Sequence, residues 1–192
     1  MAHKFDPAHM ARLETEDRRR SLDPEAILAR LGLKAGDTFL DLGCGPGFFS
    51  LPAARIVGPN GRVHAVDVSP AMVERVQARA REGNLPQLSA VVSRESHVPL
   101  DDGVANLVLL ANVLHEAEDP RRFLQEARRL TAPGGYVAVV EWNLEQTESG
   151  PPLAHRLAPG TVRQWLEETP LRCTRELAVG PGHYCLMAER DA

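Results

Sequence analysis

Apolar residues gather in five short runs, three of them followed by a stretch with helical spacing. The runs are 38–43, 62–67, Leu88–Val92, Asn106–Ala111 and Tyr136–Trp142. Each has the length and β-branched content of a buried strand, and Asn106–Ala111 is nearly continuous, as in a strand covered on both faces. Between them the spacing predicts helices over 47–57, from Pro70 onward, and over Pro120–Leu130. Pro52 falls near the first turn of its helix, where a missing N–H costs little. Ser69 or Asp67 is expected to cap the helix at Pro70, and Pro133-Gly134-Gly135 to end the one at Leu130. Alternating strands and helices predict a parallel sheet with helices on both faces.

Both ends of the chain depart from this alternation. Asp6-Pro7 and Asp23-Pro24 each read as an N-cap followed by proline, which predicts helices over 7–20 and 24–31. Residues 143–160 are rich in Gly, Pro and Glu and are read as a loop over the active site. A helix over 161–169 follows, then strands over 171–179 and 183–190 around Gly180-Pro181-Gly182, an antiparallel hairpin. Cys173 and Cys185 are expected to face each other across it, both reduced.

The first strand carries the densest chemical signal, in Thr38-Phe-Leu-Asp-Leu-Gly-Cys-Gly-Pro-Gly47. Its glycines let the backbone turn tightly and approach a ligand closely. Asp41 lies near the strand end, where open α/β sheets bind ligands. A dinucleotide fingerprint requires G-x-G-x-x-G, and the third glycine position is Phe48 or Ser50. The only lysines are Lys4 and Lys34, so the loop suits a ligand without a pyrophosphate. Asp67 ends the second strand 20 residues beyond Gly47, in position to accept from both hydroxyls of a ribose.

With these features the chain resembles the class I S-adenosylmethionine-dependent methyltransferases. The segments "FLDLGCGPGFFS", "GRVHAVDVSPAMVERV", "VPLDDGVANLVLLANVLHE" and "RRLTAPGGYVAVVEW" carry the likeness across 33–142. Within the family it is similar to small bacterial enzymes related to quinone-biosynthesis and arsenite methyltransferases. The resemblance implies a Rossmann-like, doubly wound, mostly parallel seven-stranded sheet with a C-terminal antiparallel strand and N-terminal helices. It implies one domain over 1–192: a helical cap at 1–32, a cofactor core at 33–142, and a substrate loop and hairpin at 143–192.

The same resemblance implies S-adenosylmethionine as cofactor and S-adenosylhomocysteine as product. Gly43, Cys44, Gly45 and Gly47 would wrap the methionine part, and Asp41 would orient its amino group. Asp67 would take the ribose, with Val68 and Met72 against the adenine. Arg94 stands where relatives often have an adenine acceptor and cannot accept, so Glu95 or Ser96 takes that part. Ala111 and Asn112 would meet the methionine end. Ala105 or Asn106, where relatives often carry aspartate, is read as structurally neutral. His115 is the candidate base, with a packing or capping histidine as its alternative. Glu141, Trp142 and Arg156 would border the acceptor, Arg156 either forking onto an acid or pairing with Glu141. No metal site is expected.

Composition narrows the function classes. A chain of 192 residues with 43% hydrophobic and 25% charged residues is an ordinary globule of one domain. Its net charge of −4 gives no global attraction to nucleic acid or anionic membrane. The start has no signal-peptide core and no run reaches membrane-span length, so the expectation is a cytoplasmic protein, monomeric or homodimeric. A small-molecule acceptor is therefore expected. The alternatives are an RNA or protein methyltransferase, supported by Arg18-Arg19-Arg20, and a non-catalytic cofactor-binding protein. An arsenite-type enzyme would need clustered cysteines, and a nicotinamide dehydrogenase is disfavoured by Phe48.

Overall fold

The computed structural model describes residue 15, residues 22–145 and residues 150–191. The helix expected over 7–20 and its arginine run lie outside these. The described helices are α1 (Pro24–Arg30), α2 (Ser50–Val57), α3 (Pro70–Glu82), α4 (Pro120–Leu130) and α5 (Pro159–Glu168). Seven strands, β1 (Thr38–Leu42), β2 (Arg62–Asp67), β3 (Leu88–Val92), β4 (Ala105–Ala111), β5 (Thr131–Trp142), β6 (Arg172–Ala178) and β7 (His183–Glu189), form one sheet in the order β3-β2-β1-β4-β5-β7-β6. The first five are mutually parallel, while β7 runs antiparallel to both β5 and β6. Strand order reverses between β1 and β4, and that reversal opens a crevice at their C-terminal ends.

Two apolar layers sandwich the sheet, following the period-two alternation of its strands. Phe39, Leu107, Leu109 and Val140 pack with α1, α2 and α3 on one face. Leu40, Leu42, Leu110 and Val139 pack with α4 and α5 on the other. Helix α4 buries Phe123, Leu124, Ala127 and Leu130, the spacing of a single helical stripe. Its start is fixed by Asp119, whose Oδ1 accepts from Arg122 N–H at 3.1 Å, with Pro120 as first helical residue. Asp23 caps α1 in the same way.

Several expectations are corrected. Helix α4 ends at Leu130, before Pro133-Gly134-Gly135, which lie inside β5, and that strand begins at Thr131 rather than Tyr136. A register shift between Ala105 and Leu107 absorbs the extra residues, and Gly134 N–H and Gly135 C=O bond to Arg190. Gly135 is needed there, since a Cβ would lie 2.9 Å from the carbonyl oxygens of Ala132 and Asn106. Asn106 is not neutral: its Oδ1 accepts from Thr38 N–H at 2.8 Å and pins the start of β1 to β4. Residues 47–49 form turns before α2 begins at Ser50. Neither Ser69 nor Asp67 caps α3 by a side-chain bond; Asp67 Oδ1 instead accepts from Ser69 N–H. Cys173 lies opposite Ala188 and Cys185 opposite Leu177, so the two cysteines do not face each other, and both are free thiols.

Leu109 sits in the middle of the sheet with no exposure. Leu109→Ala should lower unfolding free energy by about 2–5 kcal/mol, the cost of a core cavity. Urea denaturation measures this.

Candidate active site at the strand ends

The glycine loop leaves β1 and is fastened to β2. Gly43 N–H and Cys44 N–H both donate to Val66 C=O, at 2.8 and 3.0 Å. Gly45 N–H donates to Asp67 Oδ2 at 2.9 Å, while Oδ1 takes Ser69 N–H at 2.9 Å. Gly43 has a φ of +76°, and a Cβ there would lie 2.5 Å from Val113 Cγ2. Only glycine combines that backbone with so close an approach between the loop and the segment after β4.

Asp67 is well withdrawn from solvent. Burial pushes its carboxyl up, outweighing the N–H bonds from Ser69, Gly45 and Val68 that favour the anion. A carboxylate oxygen accepts more than one bond, so Asp67 retains capacity for further donors. Beside it Val68 is 45% exposed, an apolar surface on the crevice rim. Met72 is buried in α3. Asp41 is buried beneath the loop, where its Oδ2 accepts from Ser50 Oγ at 2.5 Å, so it braces the start of α2. Cys44 is buried too, and burial, with the charges of Asp41 and Asp67, holds its thiol far above the usual range. Glu95 Oε1 accepts from the N–H groups of Glu118 and Asp119 at 2.8 and 3.4 Å, and Ser96 is exposed.

A second group of residues closes the crevice at β4, β5 and β7. Glu141 has no exposure. Its carboxylate accepts from the N–H groups of His115 and Trp142, at 3.1 and 3.2 Å, and meets His115 Nδ1 at 2.8 Å. Burial works against charge on His115, but Glu141, with a smaller push from Glu116, outweighs it and raises the imidazole pKa. His115 itself lies in a short 3-10 turn, Leu114–Glu116. Glu141 is thus saturated by protein groups and does not border an open cleft. Arg156 is buried in its own loop, donating to the carbonyls of Pro151, Asn143 and Glu145, and lies 5.2 Å over the Trp142 ring. Of the two alternatives for Arg156, the ion pair with Glu141 is not the arrangement found among the described residues.

His183, at the start of β7, escaped the sequence reading. The β5–β7 register sets it opposite Trp142, ring centroids 4.0 Å apart. Its Nε2 lies 3.2 Å from Asn112 Nδ2. Asn112 holds φ +56°, a left-handed backbone that asparagine tolerates, at the end of β4. Nothing local in the sequence links positions 112 and 183. Tyr184 donates its hydroxyl to Leu157 C=O at 2.9 Å, and burial followed by the Glu141 charge pushes its pKa up, so it stays a phenol.

The site's glycine loop, strand-end carboxylate and walled crevice match a wider pattern. A family model described as "Methyltransferase domain" matches residues 33–176. A solved "SAM dependent methyltransferase from Aquifex aeolicus" superposes with a TM-score of 0.93 at 32% identity, covering 97% of this chain and 99% of that one. A 37.1 kDa protein of transposon TN4556 from Streptomyces fradiae is 38% identical over 70% of this chain and 38% of its own length. The 2-phytyl-1,4-naphtoquinone methyltransferase of Trichormus variabilis is 34% identical over 62% of this chain and 52% of its own. The chain therefore spans only about a third to a half of these curated relatives.

The His115–Glu141 pair generates a signed pH dependence. His115 has a folded pKa above its unfolded value of about 6.5. Its contribution is complete below about pH 6.5 and is lost as pH rises through the folded value. Glu141→Gln should cost about 1.5–3 kcal/mol at pH 6, the worth of a charged hydrogen bond, and less at pH 9. Urea denaturation at both pH values checks it; an equal cost at both would contradict the charged pair.

Proposed function

Because the chain belongs to the class I S-adenosylmethionine-dependent methyltransferase family, we propose that it methylates a small-molecule acceptor by in-line displacement. The observation that carries this reading is the loop bond from Gly45 N–H to Asp67 Oδ2, which joins the glycine turn and the strand-end carboxylate into one cradle. The residues fit the cofactor. A Cβ at Gly43 would crowd Val113 at the crevice, Asp67 keeps acceptor capacity, and Val68 offers an exposed apolar face. S-adenosylmethionine supplies a methyl group already activated by the positive charge on sulfur, so the protein's task is mainly alignment.

In this reading Asp67 accepts the ribose hydroxyls and Val68, with Met72 behind it, lies along the adenine. Gly43, Cys44, Gly45 and Gly47 line the methionine part, and Asp41 acts through Ser50 on the loop rather than by open contact. Ala111 and Asn112 border the methionine end. Glu95 and Ser96 belong to the adenine wall. Trp142 borders the acceptor, while Glu141 and Arg156 support it from beneath through His115 and through the loop carbonyls.

A base is needed only for an acceptor that arrives protonated. His115 suits that part in its neutral form. Glu141 would hold the proton on Nδ1 and leave Nε2 as the lone-pair nitrogen, the orienting logic of a histidine–carboxylate pair. Its raised pKa means the neutral form gains ground as pH rises.

The naphthoquinone named for one relative supports a small organic acceptor, as does the net charge of −4. The thiols argue against cysteine chemistry. Burial holds Cys44, Cys173 and Cys185 protonated, the last pushed up to about 12. Among the described residues no helix is long and apolar enough to cross a membrane.

Two measurements test the proposal. Labelled methyl from S-adenosylmethionine, incubated with fractionated cell extract, should enter the low-mass fraction, and label in RNA or protein would replace the small-molecule reading. Calorimetry should find S-adenosylhomocysteine bound, with Asp67→Ala weakening it about 10–100-fold, as expected for bonds to a charged group. Absence of binding to the wild-type chain at millimolar ligand overturns it. Once the acceptor is known, turnover should rise with pH through the His115 titration. His115→Gln should abolish that rise if His115 is the base, and a retained rise excludes it.

A further inference from the structure

Segment 93–102 joins β3 to β4 and forms the wall beside Asp67. It is anchored at its start where Ser93 N–H donates to Asp67 C=O at 3.0 Å. Arg94 and His97 then close a tight turn by reciprocal backbone bonds of 3.2 and 3.3 Å. Beyond that turn no strand takes the segment's backbone groups. Two side chains of α4 do so instead.

Glu126 Oε1 accepts from Val98 N–H at 2.6 Å, and Arg129 Nη2 donates to Val98 C=O at 3.0 Å. Arg129 Nη1 donates to Leu100 C=O at 2.9 Å and to Asp102 Oδ1 at 2.6 Å. The pair is itself bidentate, with Arg129 Nη2 to Glu126 Oε1 at 2.7 Å and Nε to Oε2 at 2.8 Å. Three of the five Arg129 bonds therefore hold 98–102 and two hold Glu126. Glu95, from the same segment, reaches back to the N–H groups that open α4. Segment and helix thus clasp each other at both ends.

The pair is charged. Burial pushes the Glu126 carboxyl up, but the Arg129 hydrogen bond and Val98 N–H outweigh it and hold it below the usual carboxylate range. An exposed ion pair contributes little to stability. This one gives the buried Val98 N–H its acceptor, a bond costly to leave unmade, and adds a donor to Val98 C=O, which also takes Leu100 N–H at 2.8 Å. The same wall abuts Asp67 through Ser93. Its conformation is therefore fixed before any ligand arrives, which removes an ordering cost from binding.

We infer that Glu126 and Arg129 are positioning residues for the nucleoside end of the cofactor site, acting through segment 93–102. This rests on the methyltransferase reading above. The test is calorimetric binding of S-adenosylhomocysteine and of 5′-methylthioadenosine, which shares only the nucleoside end, to the full chain. Variants are Glu126→Ala, Glu126→Gln and Arg129→Lys, with Arg121→Ala as control. Arg121 lies on the same helix, in an exposed pair with Glu168 at 2.8 Å.

Glu126→Ala and Arg129→Lys should weaken both ligands about tenfold or more, by the same factor, with faster amide exchange at Val98. A lysine cannot serve two carbonyls and two carboxylates at once, as the Arg129 fork does. Glu126→Gln, which keeps an acceptor for Val98 N–H, should weaken binding less than Glu126→Ala. Arg121→Ala should bind as wild type. If Glu126→Ala fails to fold, Arg129→Lys decides. Folded variants that bind both ligands as tightly as wild type overturn the inference while the methyltransferase reading stands. A wild-type chain that binds neither ligand overturns both.

Discussion

The bond from Gly45 N–H to the Asp67 carboxylate is the contact on which the site depends. It ties the turn that leaves β1, beside the point where strand order reverses between β1 and β4, to the end of β2. Val66 C=O, taking two N–H groups of the same turn, fixes its start, and Gly43 admits Val113 against it. The loop's shape is thus set by neighbouring strands rather than by the helix it introduces. That explains why α2 has no side-chain N-cap and can open on Ser50, whose hydroxyl serves Asp41 instead.

Order then spreads from this point in both directions along the sheet. Toward β3, Ser93 meets Asp67 and the clasp with α4 carries the wall around to the opposite face. Toward β5 and β7, Glu141 gathers the N–H groups of His115 and Trp142, and Trp142 stacks on His183. The two arms use the same device. Where the strand ladder stops, a charged side chain from a neighbouring element takes over the backbone groups left behind. The crevice is bounded on both sides by such takeovers.

Much of this was legible in the sequence because it is local. The strand, turn and helix around Gly43–Gly47 occupy one short stretch, and Asp67 ends the very next strand. Helix α4 was legible with the bounds Pro120–Leu130 that the structure gives it. The parts that were missed are contacts between strands that are not consecutive. Only the antiparallel insertion of β7 beside β5 brings His183 to Asn112, and only sheet register decides that Cys185 faces Leu177. Pro133-Gly134-Gly135 misled for a related reason. Read locally it is a breaker, yet in the sheet Gly134 and Gly135 bond to Arg190 near the chain's end, and the strand continues through them. No local pattern reveals that Glu126 and Arg129 serve a segment nearly thirty residues earlier.

Two strand-end carboxylates show how burial separates structural from ligand-facing chemistry. Glu141 is enclosed and answered by a histidine and two backbone N–H groups, so its charge is spent inside the protein. Among the described residues Asp67 is answered by backbone N–H groups, and burial outweighs them, pushing its carboxyl up. A carboxylate left with that deficit gains more from an added donor than one already satisfied. A ligand carrying a pair of hydroxyls would supply two. In the proposed function, the deficit at Asp67, set against the enclosure of Glu141, favours β2 over β5 as the strand end that would hold the cofactor's hydroxyls. The β5 end would then support, from below, the place proposed for an acceptor.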